Sequence, residues 1–495
     1  MKAIEYPTVC WARELPDHPA VIANGEAVPY AGLEQHVSSS AIRLRSRGVL
    51  DGDRVVICAS NSLDWLIVAH ALARVGAVLV PVNTRILTSN SSEFRRAYGP
   101  RMVLCDSDTM SLWESATLIS EITATKSGPS RKRIPNKINP EALHSIILTS
   151  GSAGEPKGVC LSFRNHLSNA LGSALNLGVN PDDRWLLNLP LYHVGGMAII
   201  LRAAIYGTTV VVHDRFDAAE TWRAIEEDRV TQLSLVASTL RRLLDAAPER
   251  NCPGHVRSVL VGGGPVPSTL IDEARGRGFP ILPTYGMTET SSQIATLSPR
   301  APEAKQSTAG FPLALADIEI RDESDASVSN GVEGRIHVRG PMVGLGYWRE
   351  DGTTQPFVDA DGWFATNDIG SFDENGCLIV RGRIDNVIIS GGEKIHAEEI
   401  EGALSRIEGV ARAAVVGIED PEWGQRPVAF VELIPGREFN EDGISELITK
   451  KLPSYKLPLR IIRLQSLPTL PSGKTDRRAL MAQARESTAH SRRGA

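Results

Sequence analysis

Arg54-Val-Val-Ile-Cys-Ala59 is followed by Leu63-Asp-Trp-Leu-Ile-Val-Ala-His-Ala-Leu-Ala-Arg-Val75 and then by Ala77-Val-Leu-Val-Pro81. The first and last pieces are short β-branched runs, and the middle one carries a helical pattern. The order is therefore strand, helix, strand. A spanning helix needs about 20 uninterrupted apolar residues. The apolar stretch Trp65–Val82 is broken by His70, Arg74 and Pro81, so it predicts a buried helix running into a strand rather than a membrane span. The alternation recurs in Trp185–Leu189, Gly196–Tyr206, Thr208–Val212 and Ala218–Asp228. It continues through Val230–Val236, Leu240–Ala246, Val256–Val261, Pro267–Arg277 and Ile281–Thr284. Strands alternating with helices imply crossover units, hence layered, mainly parallel sheets covered by helices on both faces. The expected class is α/β.

Near Asp317 the character changes. Ile318–Arg321, Gly334–Arg339 and Cys377–Arg381 alternate like strands between Gly, Asp and Asn turns, which predicts a small β-barrel-like unit. Beyond Asp385 a compact α+β pattern follows: a helix over Glu398–Ile407, strands over Val410–Ile418 and Pro427–Ile434, and a helix over Glu441–Lys451. Pro453–Thr475 reads as a long ordered loop, Lys126–Lys137 as a basic surface loop, and the tail from Glu486 as frayed. A boundary at Asp385–Asn386 divides the chain into domains 1–384 and 385–495.

Composition bounds the function. The 495 residues hold 53 Lys+Arg against 58 Asp+Glu, a net charge of −5, which gives no broad electrostatic grip on nucleic acid. Cys10, Cys58, Cys105, Cys160, Cys252 and Cys377 form no CxxC pair, which suits a reducing cytoplasm better than a zinc ribbon or disulfide framework. Met1–Asp17 carries acids and a proline where a secretory signal has an apolar core. The sequence is compatible with a homo-oligomer.

Two clusters carry chemistry. In Leu148-Thr-Ser-Gly-Ser-Ala-Gly-Glu-Pro-Lys-Gly158 the strand Ser145–Leu148 empties into small hydroxylic residues and glycines. Thr149, Ser150, Gly151, Ser152 and Gly154 can offer N–H and hydroxyl donors to an anion, and Lys157 adds positive charge. It is not a Walker A loop, since no Ser or Thr follows Gly-Lys at the required spacing, and Gly473-Lys474-Thr475 has Pro468 where the first glycine belongs. A flexible surface turn has the same composition. The second cluster is Pro283-Thr-Tyr-Gly-Met-Thr-Glu-Thr-Ser-Ser-Gln293, at the carboxyl end of a strand, where open α/β sheets collect ligands. There Thr288 could bond a phosphate oxygen, Glu289 could help hold Mg2+, and Tyr285 could stack on a base. A plain turn with a helix N-cap at Thr288 or Thr290 fits equally well.

Weaker features stand beside these. Gly262, Gly263 and Gly264 would let a planar ligand approach the backbone, though such runs are more often turns. Asp368 and the pair Arg383 and Asp385 follow strands; a carboxylate there suits a ribose diol or, more often, a solvated turn. His193, in Leu189-Pro-Leu-Tyr-His-Val-Gly-Gly196, reads as a core histidine more readily than as a catalytic or substrate contact. No Gly-x-Ser-x-Gly elbow and no His-Glu-x-x-His is present.

Taken together, Thr149–Gly158, Tyr285–Thr290, Thr366–Gly370, Arg383–Glu399 and Pro471–Lys474 resemble, in order, the motifs of the adenylate-forming superfamily of acyl-CoA synthetases, adenylation domains and luciferases. The resemblance implies a large N-terminal domain, a small mobile C-terminal domain and an acid–thiol ligase using ATP, Mg2+ and coenzyme A. An acid carboxylate would attack the α-phosphorus of ATP, and a thiol would then take the acyl group. On this likeness Lys474 is the adenylation lysine, the 149–157 loop holds the β- and γ-phosphates, Thr288 the α-phosphate, and Glu289 places Mg2+. Tyr285, Gly286, Met287 and Gly262–Gly264 would flank the adenine, Asp368 and Arg383 would bind the ribose, and Asp385 would be the hinge. Two departures, Ala153 for a hydroxyl and Asn367 for a glycine, bear on ATP affinity. Within the superfamily the chain is most similar to the o-succinylbenzoate–CoA ligases of menaquinone biosynthesis, through Leu189–Gly196, Tyr285–Ile294 and Ser390–Ile395. That would make His193, Gly195, Ser238, Ser291 and Ser292 the pocket for the acid. Rival readings are a ligase for another aryl or short acyl acid, a stand-alone enzyme loading a carrier protein, and a catalytically dead nucleotide binder.

Overall fold

The computed structural model describes residues 3–85, 88–124, 134–149, 157–302, 308–391, 393–421, 423–434, 436–469 and 475–493. The expected strand–helix–strand unit is present as Arg54–Cys58, Leu63–Val75 and Val78–Pro81. Ser62 caps the helix by accepting from the Trp65 N–H, and Gly76 ends it in the left-handed region at φ 85°. These two residues set the boundaries that the periodicity predicts. The helix is buried on all sides, so its polar members need partners. Tyr6 Oη lies 2.8 Å from His70 Nδ1, and Arg74 meets Glu34 at 2.6 Å and Asn136 at 3.0 Å. No described helix is long and apolar enough to cross a membrane.

The chain divides into two compact units. The first comprises Met1–Gly264, Ala274–Ile318 and Val338–Phe364; the second comprises Pro265–Glu273, Glu319–His337 and Ala365–Ala495. The first unit holds two large sheets. In the eight-stranded sheet Val78–Pro81 and Met102–Cys105 flank Arg54–Cys58 in parallel, and Leu143–Thr149 joins in parallel with Leu79 opposite Ser145. Lys157–Ser162 returns antiparallel to Leu143–Thr149, so the glycine-rich segment connects a hairpin whose last pair is Lys157 and Thr149. The nine-stranded sheet has a parallel centre of Ile281–Met287, Ser258–Val261, Gln232–Leu235, Arg184–Leu187, Thr209–Val212 and Pro19–Ala23. The helices Leu63–Val75 and Val194–Tyr206 contribute to one core shared by both sheets.

Most of a four-stranded sheet of Asp317–Arg321, Gly334–Arg339, Phe364–Phe372 and Leu378–Arg383 falls in the second unit. That unit also holds a five-stranded sheet built from Glu393–His396, Val387–Ser390, Gly424–Leu433, Val410–Asp420 and Ile461–Leu464. Glu333, just before the strand Gly334–Arg339, meets both Arg381 at 2.9 Å and His396 at 3.2 Å. Two expectations are corrected here. Pro453–Thr475 is not simply a loop, because Ile461–Leu464 adds in parallel to the Gly424–Leu433 strand. The tail is not frayed from Glu486, because one helix spans Arg477–Arg493, with Leu480 and Ala484 seated in a core under the sheet. Of the basic stretch 126–137, most lies outside the described residues, and Lys137 belongs to a short strand paired with Ile4–Glu5.

Candidate active site

The strand Ile281–Met287 runs three residues beyond its expected end at Thr284, because Ser292–Thr296 turns back and pairs with it. A one-turn 3₁₀ helix, Thr288–Thr290, closes the connection, with Met287 rather than Thr288 or Thr290 at the N-cap position. The hairpin is very tight. A Cβ at Gly286 would lie 1.8 Å from the Ser292 carbonyl oxygen, so only glycine fits there. Ser291 and Ser292 both take positive φ, 57° and 126°, a costly conformation that side chains tolerate where surrounding structure enforces it.

The enforcement is visible. The Thr290 hydroxyl accepts from the Met287 N–H at 3.1 Å and lies 2.9 Å from the Ser292 carbonyl, to which it can donate. Asn169 Nδ2, from the helix Phe163–Leu177, donates to the carbonyls of Thr290 at 3.0 Å and Gln293 at 2.6 Å. Its Oδ1 accepts from the buried Arg202 guanidinium at 2.5 Å. One turn earlier, Asn165 donates to the carbonyls of Pro341 and Val343 at 2.9 and 2.8 Å. The 340–345 segment is tied in turn to the hairpin: the Gly344 N–H donates to the Glu289 carbonyl at 2.8 Å, and the Ser291 hydroxyl donates to the Met342 carbonyl at 2.9 Å.

This stitching brings Glu289 and Lys157 to one aromatic ring. Tyr347 Oη donates to Glu289 Oε1 at 2.9 Å, and Lys157 Nζ lies over the Tyr347 ring, 5.1 Å from its centroid. Thr149 stands opposite Lys157, its hydroxyl 3.3 Å from the Lys157 carbonyl. A cation, hydroxyls and a single carboxylate thus collect at the carboxyl end of a parallel sheet, where phosphate chemistry is expected. Among the described residues no group of three or more His, Cys, Asp or Glu side chains is placed to hold a metal ion. Glu289 fits a magnesium-like cation, which takes one or two carboxylates and completes its shell with substrate phosphates and water.

Other expected residues fall into place around this hairpin or apart from it. Gly262 packs against Thr284, where a Cβ would come within 2.7 Å of the threonine methyl, and Gly263 lies beside Val236. Val236 caps the helix Ala237–Asp245, which carries Ser238 exposed in its first turn. His193 caps the helix Val194–Tyr206, with its ring 4.6 Å from that of Tyr192, whose hydroxyl pKa burial pushes up. Gly195 lies in that helix's first turn, against Leu189. Tyr285 is half-buried on its strand beside Ala295. In the second unit Asp368 and Arg383 are direct partners across the antiparallel pair Phe364–Phe372 and Leu378–Arg383. Arg383 also reaches Asp385 at 3.2 Å, and Asn367 Oδ1 lies 3.5 Å from Arg335. Ser150, Gly151, Ser152, Ala153, Gly154 and Lys474 lie outside the described residues.

Sequence reasoning missed Tyr347, Asn169 and Arg202. Tyr347 sits in Gly344-Leu-Gly-Tyr-Trp348, and glycines flanking an aromatic were the only local signal. Asn169 and Arg202 are helix residues with no signature.

A family model described as AMP-binding enzyme matches residues 10–348, and one described as AMP-binding enzyme C-terminal domain matches residues 399–474. The chain belongs to the AMP-binding enzyme family. More particularly, it is 36% identical over 470 residues to a 2-succinylbenzoate–CoA ligase of Bacillus licheniformis, covering 94% of this chain and 97% of that protein. A 2-succinylbenzoate–CoA ligase of Bacillus cereus is 37% identical, with 94% and 95% covered. Among solved structures, o-succinylbenzoate CoA synthetase (MenE) from Bacillus subtilis in complex with the acyl-adenylate intermediate OSB-AMP superposes with a TM-score of 0.90 at 33% identity, covering 97% of this chain and 98% of that one. The same enzyme in complex with ATP and magnesium ion gives 0.88 at 32% identity, with 96% and 99% covered.

Proposed function

We propose that this chain is an ATP-dependent acid–CoA ligase that works through an acyl-adenylate, and that its acid is 2-succinylbenzoate. The observation that carries the phosphate-handling half is the Tyr347 ring shared by Glu289 and Lys157. The relatives' substrate supports the choice of acid.

The chemistry is mainly electrostatic. A substrate carboxylate and the α-phosphate repel by about 4 kcal/mol at ~4 Å and an effective dielectric of ~20. Removing that repulsion is worth roughly three powers of ten in rate. Lys474 is the side chain we assign to this task, with Thr288 on the α-phosphate and Lys157 with the 149–154 loop on the β- and γ-phosphates. Tyr285, Gly286, Met287 and Gly262–Gly264 hold the adenine, and Asp368 and Arg383 the ribose. His193, Gly195, Ser238, Ser291 and Ser292 border the acid. A magnesium ion at Glu289 would supply further charge neutralisation on the phosphate oxygens. No residue is acylated; positioning and charge stabilisation do the work. Domains 1–384 and 385–495 would then move about Asp385 between the two half-reactions, and the reducing cytoplasm is the compartment we assign.

The test is a pyrophosphate-exchange screen over 2-succinylbenzoate, benzoates, short acyl acids and amino acids, run with wild type and Lys474→Ala. Exchange is expected to be fastest with 2-succinylbenzoate and abolished in Lys474→Ala, while that variant still makes thioester from supplied acyl-adenylate. Faster exchange with a benzoate or amino acid would overturn the substrate, and equal loss of both half-reactions would overturn the role of Lys474.

A further inference from the structure

Cys58 and Cys105 end two neighbouring strands of the eight-stranded sheet, Arg54–Cys58 and Met102–Cys105, and are register partners across that parallel pair. Both are fully buried and belong to one apolar cluster, so they leave the sheet on the same face. Partners on neighbouring strands have Cα atoms about 4.8 Å apart. A disulfide spans roughly 4.4–6.8 Å between Cα atoms, so these two thiols can join without a backbone rearrangement, near the short end of that range. The two sulfurs are unequal. The Cys105 thiol donates to the Cys58 sulfur, and the buried Trp113 indole N–H, which has no other partner, faces that sulfur too. These donors hold the Cys58 thiol below its ordinary pKa, against burial and the Asp106 carboxylate, while Cys105 as the donor is pushed up. Cys10, Cys160 and Cys252 are all pushed up, in each case first by burial. A sulfur that ionises readily beside a second thiol is the arrangement in which oxidation ends in a disulfide. Solvent is near, because two residues beyond each cysteine Ser60 and Ser107 are exposed.

The neighbours of the pair give a crosslink its consequence. The Asp106 carboxylate accepts the Ser60 N–H at 2.8 Å and the Thr109 N–H at 2.9 Å, and the Thr109 hydroxyl donates to the Cys58 carbonyl. The two strand ends are thus laced together. One residue past Ser60, Asn61 Nδ2 donates to the carbonyls of Leu189 at 2.9 Å and His213 at 3.2 Å, and its Oδ1 accepts the Leu191 N–H at 2.9 Å. Asn61 thereby holds the segment that leads to His193.

We propose that Cys58 and Cys105 form a thiol–disulfide switch, oxidised by a peroxide, that acts on the Leu189–His193 segment through Asn61. The Cys58 thiolate attacks one oxygen of hydrogen peroxide, the O–O bond breaks, and Cys58 becomes a sulfenic acid as water leaves. The Cys105 sulfur then attacks the Cys58 sulfur, and the expelled hydroxyl takes the Cys105 proton and leaves as a second water. Two thiols are oxidised and one peroxide is reduced. Closing the bond brings the sulfurs to about 2.05 Å and pulls on the end of the Arg54–Cys58 strand, three residues from Asn61. A bond formed at the short end of the range is readily reduced again by a small thiol. In a reducing compartment the pair therefore stays open until peroxide rises, as transient redox-sensing disulfides do. The effect on turnover rests on the proposed place of His193 beside the acid; the crosslink and its effect on the segment do not.

For the test, the full-length chain is treated with hydrogen peroxide, its remaining thiols are alkylated, and the cysteine peptides are mapped by mass spectrometry. Amide deuterium uptake over residues 189–193 and pyrophosphate exchange with 2-succinylbenzoate are measured on the same material. The expected result is a peptide linked through Cys58 and Cys105, with uptake at the Leu191 amide about tenfold faster as its bond to Asn61 loosens. The kcat/KM for the acid should fall about tenfold with KM for ATP unchanged, since ~1 Å of misplacement costs up to ~100-fold. Dithiothreitol should reverse all three changes. Cys58→Ala should form no crosslink and keep its untreated uptake and kcat/KM after peroxide; if it does not fold, Cys105→Ala must keep its untreated uptake. Cys58 and Cys105 left reduced, or linked with uptake unchanged, overturns the proposal. A loss of activity in treated Cys58→Ala equal to that of wild type, and reversed by dithiothreitol, also overturns it. If the untreated chain shows no exchange with 2-succinylbenzoate, the substrate reading fails by itself, and crosslink and uptake still decide the switch.

Discussion

Replacing Tyr347 by phenylalanine removes one atom from the centre of the candidate site and leaves the rest in place. The lost hydroxyl donates to Glu289 Oε1 at 2.9 Å, while the ring that Lys157 overlies at 5.1 Å is retained. A hydrogen bond to a charged acceptor contributes about 1.5–3 kcal/mol. Glu289 is only half-buried, so water replaces part of this and about 1–1.5 kcal/mol remains, or roughly tenfold in rate. On the proposed role of Glu289 as the magnesium carboxylate, the loss should appear as a raised Mg2+ requirement in pyrophosphate exchange. Tyr347→Ala also forfeits the cation–π contact, worth about 0.5–1 kcal/mol at an exposed lysine, and should be a further two- to fivefold slower. Exchange is measured against Mg2+ concentration at fixed ATP for both variants, with thioester formation from supplied adenylate as the control. If Tyr347→Phe keeps the wild-type Mg2+ profile, the hydroxyl does not hold Glu289 for the metal and the reasoning is wrong.

Two further expectations concern the scaffold. Asn169→Ala strips the donors from the Thr290 and Gln293 carbonyls and the acceptor from Arg202, so it should lower stability by about 2–4 kcal/mol and raise KM for ATP; urea unfolding and exchange kinetics check both, and an unchanged KM would separate the hairpin from the nucleotide. Burial holds His70 near pKa 3, His144 near 4 and His166 well below 6.5, so all three stay neutral in the fold while the unfolded chain takes up protons below pH 6.5. Their contribution to stability is present above pH 6.5 and falls by about 4 kcal/mol per pH unit as pH drops towards 4, which urea midpoints at pH 7, 6 and 5 would register.

The helix Leu63–Val75 was legible to the residue because both of its boundaries are local chemistry: a serine cap and a left-handed glycine. The same holds for the strand Gly334–Arg339, which lies between turn residues. Ile461–Leu464 was not legible, since two isoleucines among prolines and basic residues become a strand only through a parallel partner some 30 positions away in sequence. Residues 285–287 failed for a related reason. Their Tyr-Gly-Met composition reads as a turn, and only the returning strand Ser292–Thr296 makes them extended. The tail misled by its polarity, because two small apolar contacts, Leu480 and Ala484, suffice to seat a long charged helix. The candidate site divides along the same line. Glycine-rich and hydroxylic runs announce themselves as motifs, whereas Tyr347 meets Glu289 across 58 positions and Asn169 meets Thr290 across 121, separations at which no spacing rule applies.

The distribution of strongly shifted groups also bears on how such a site works. In enzymes that rely on acid–base chemistry, perturbed pKa values gather where protons are moved. Here the large shifts of His70, His144, Tyr6 and Tyr30 arise first from burial, and all four side chains are buried in the first unit. None is among the residues assigned to nucleotide or acid. What the Glu289 hairpin has instead is an excess of restraint: two residues at positive φ, a glycine that admits no Cβ, and asparagine amides gripping backbone carbonyls. Rigid placement of charge is the requirement of a reaction whose barrier is the approach of two anions, because a dipole or cation fixed beforehand stabilises the transition state without reorganising during it.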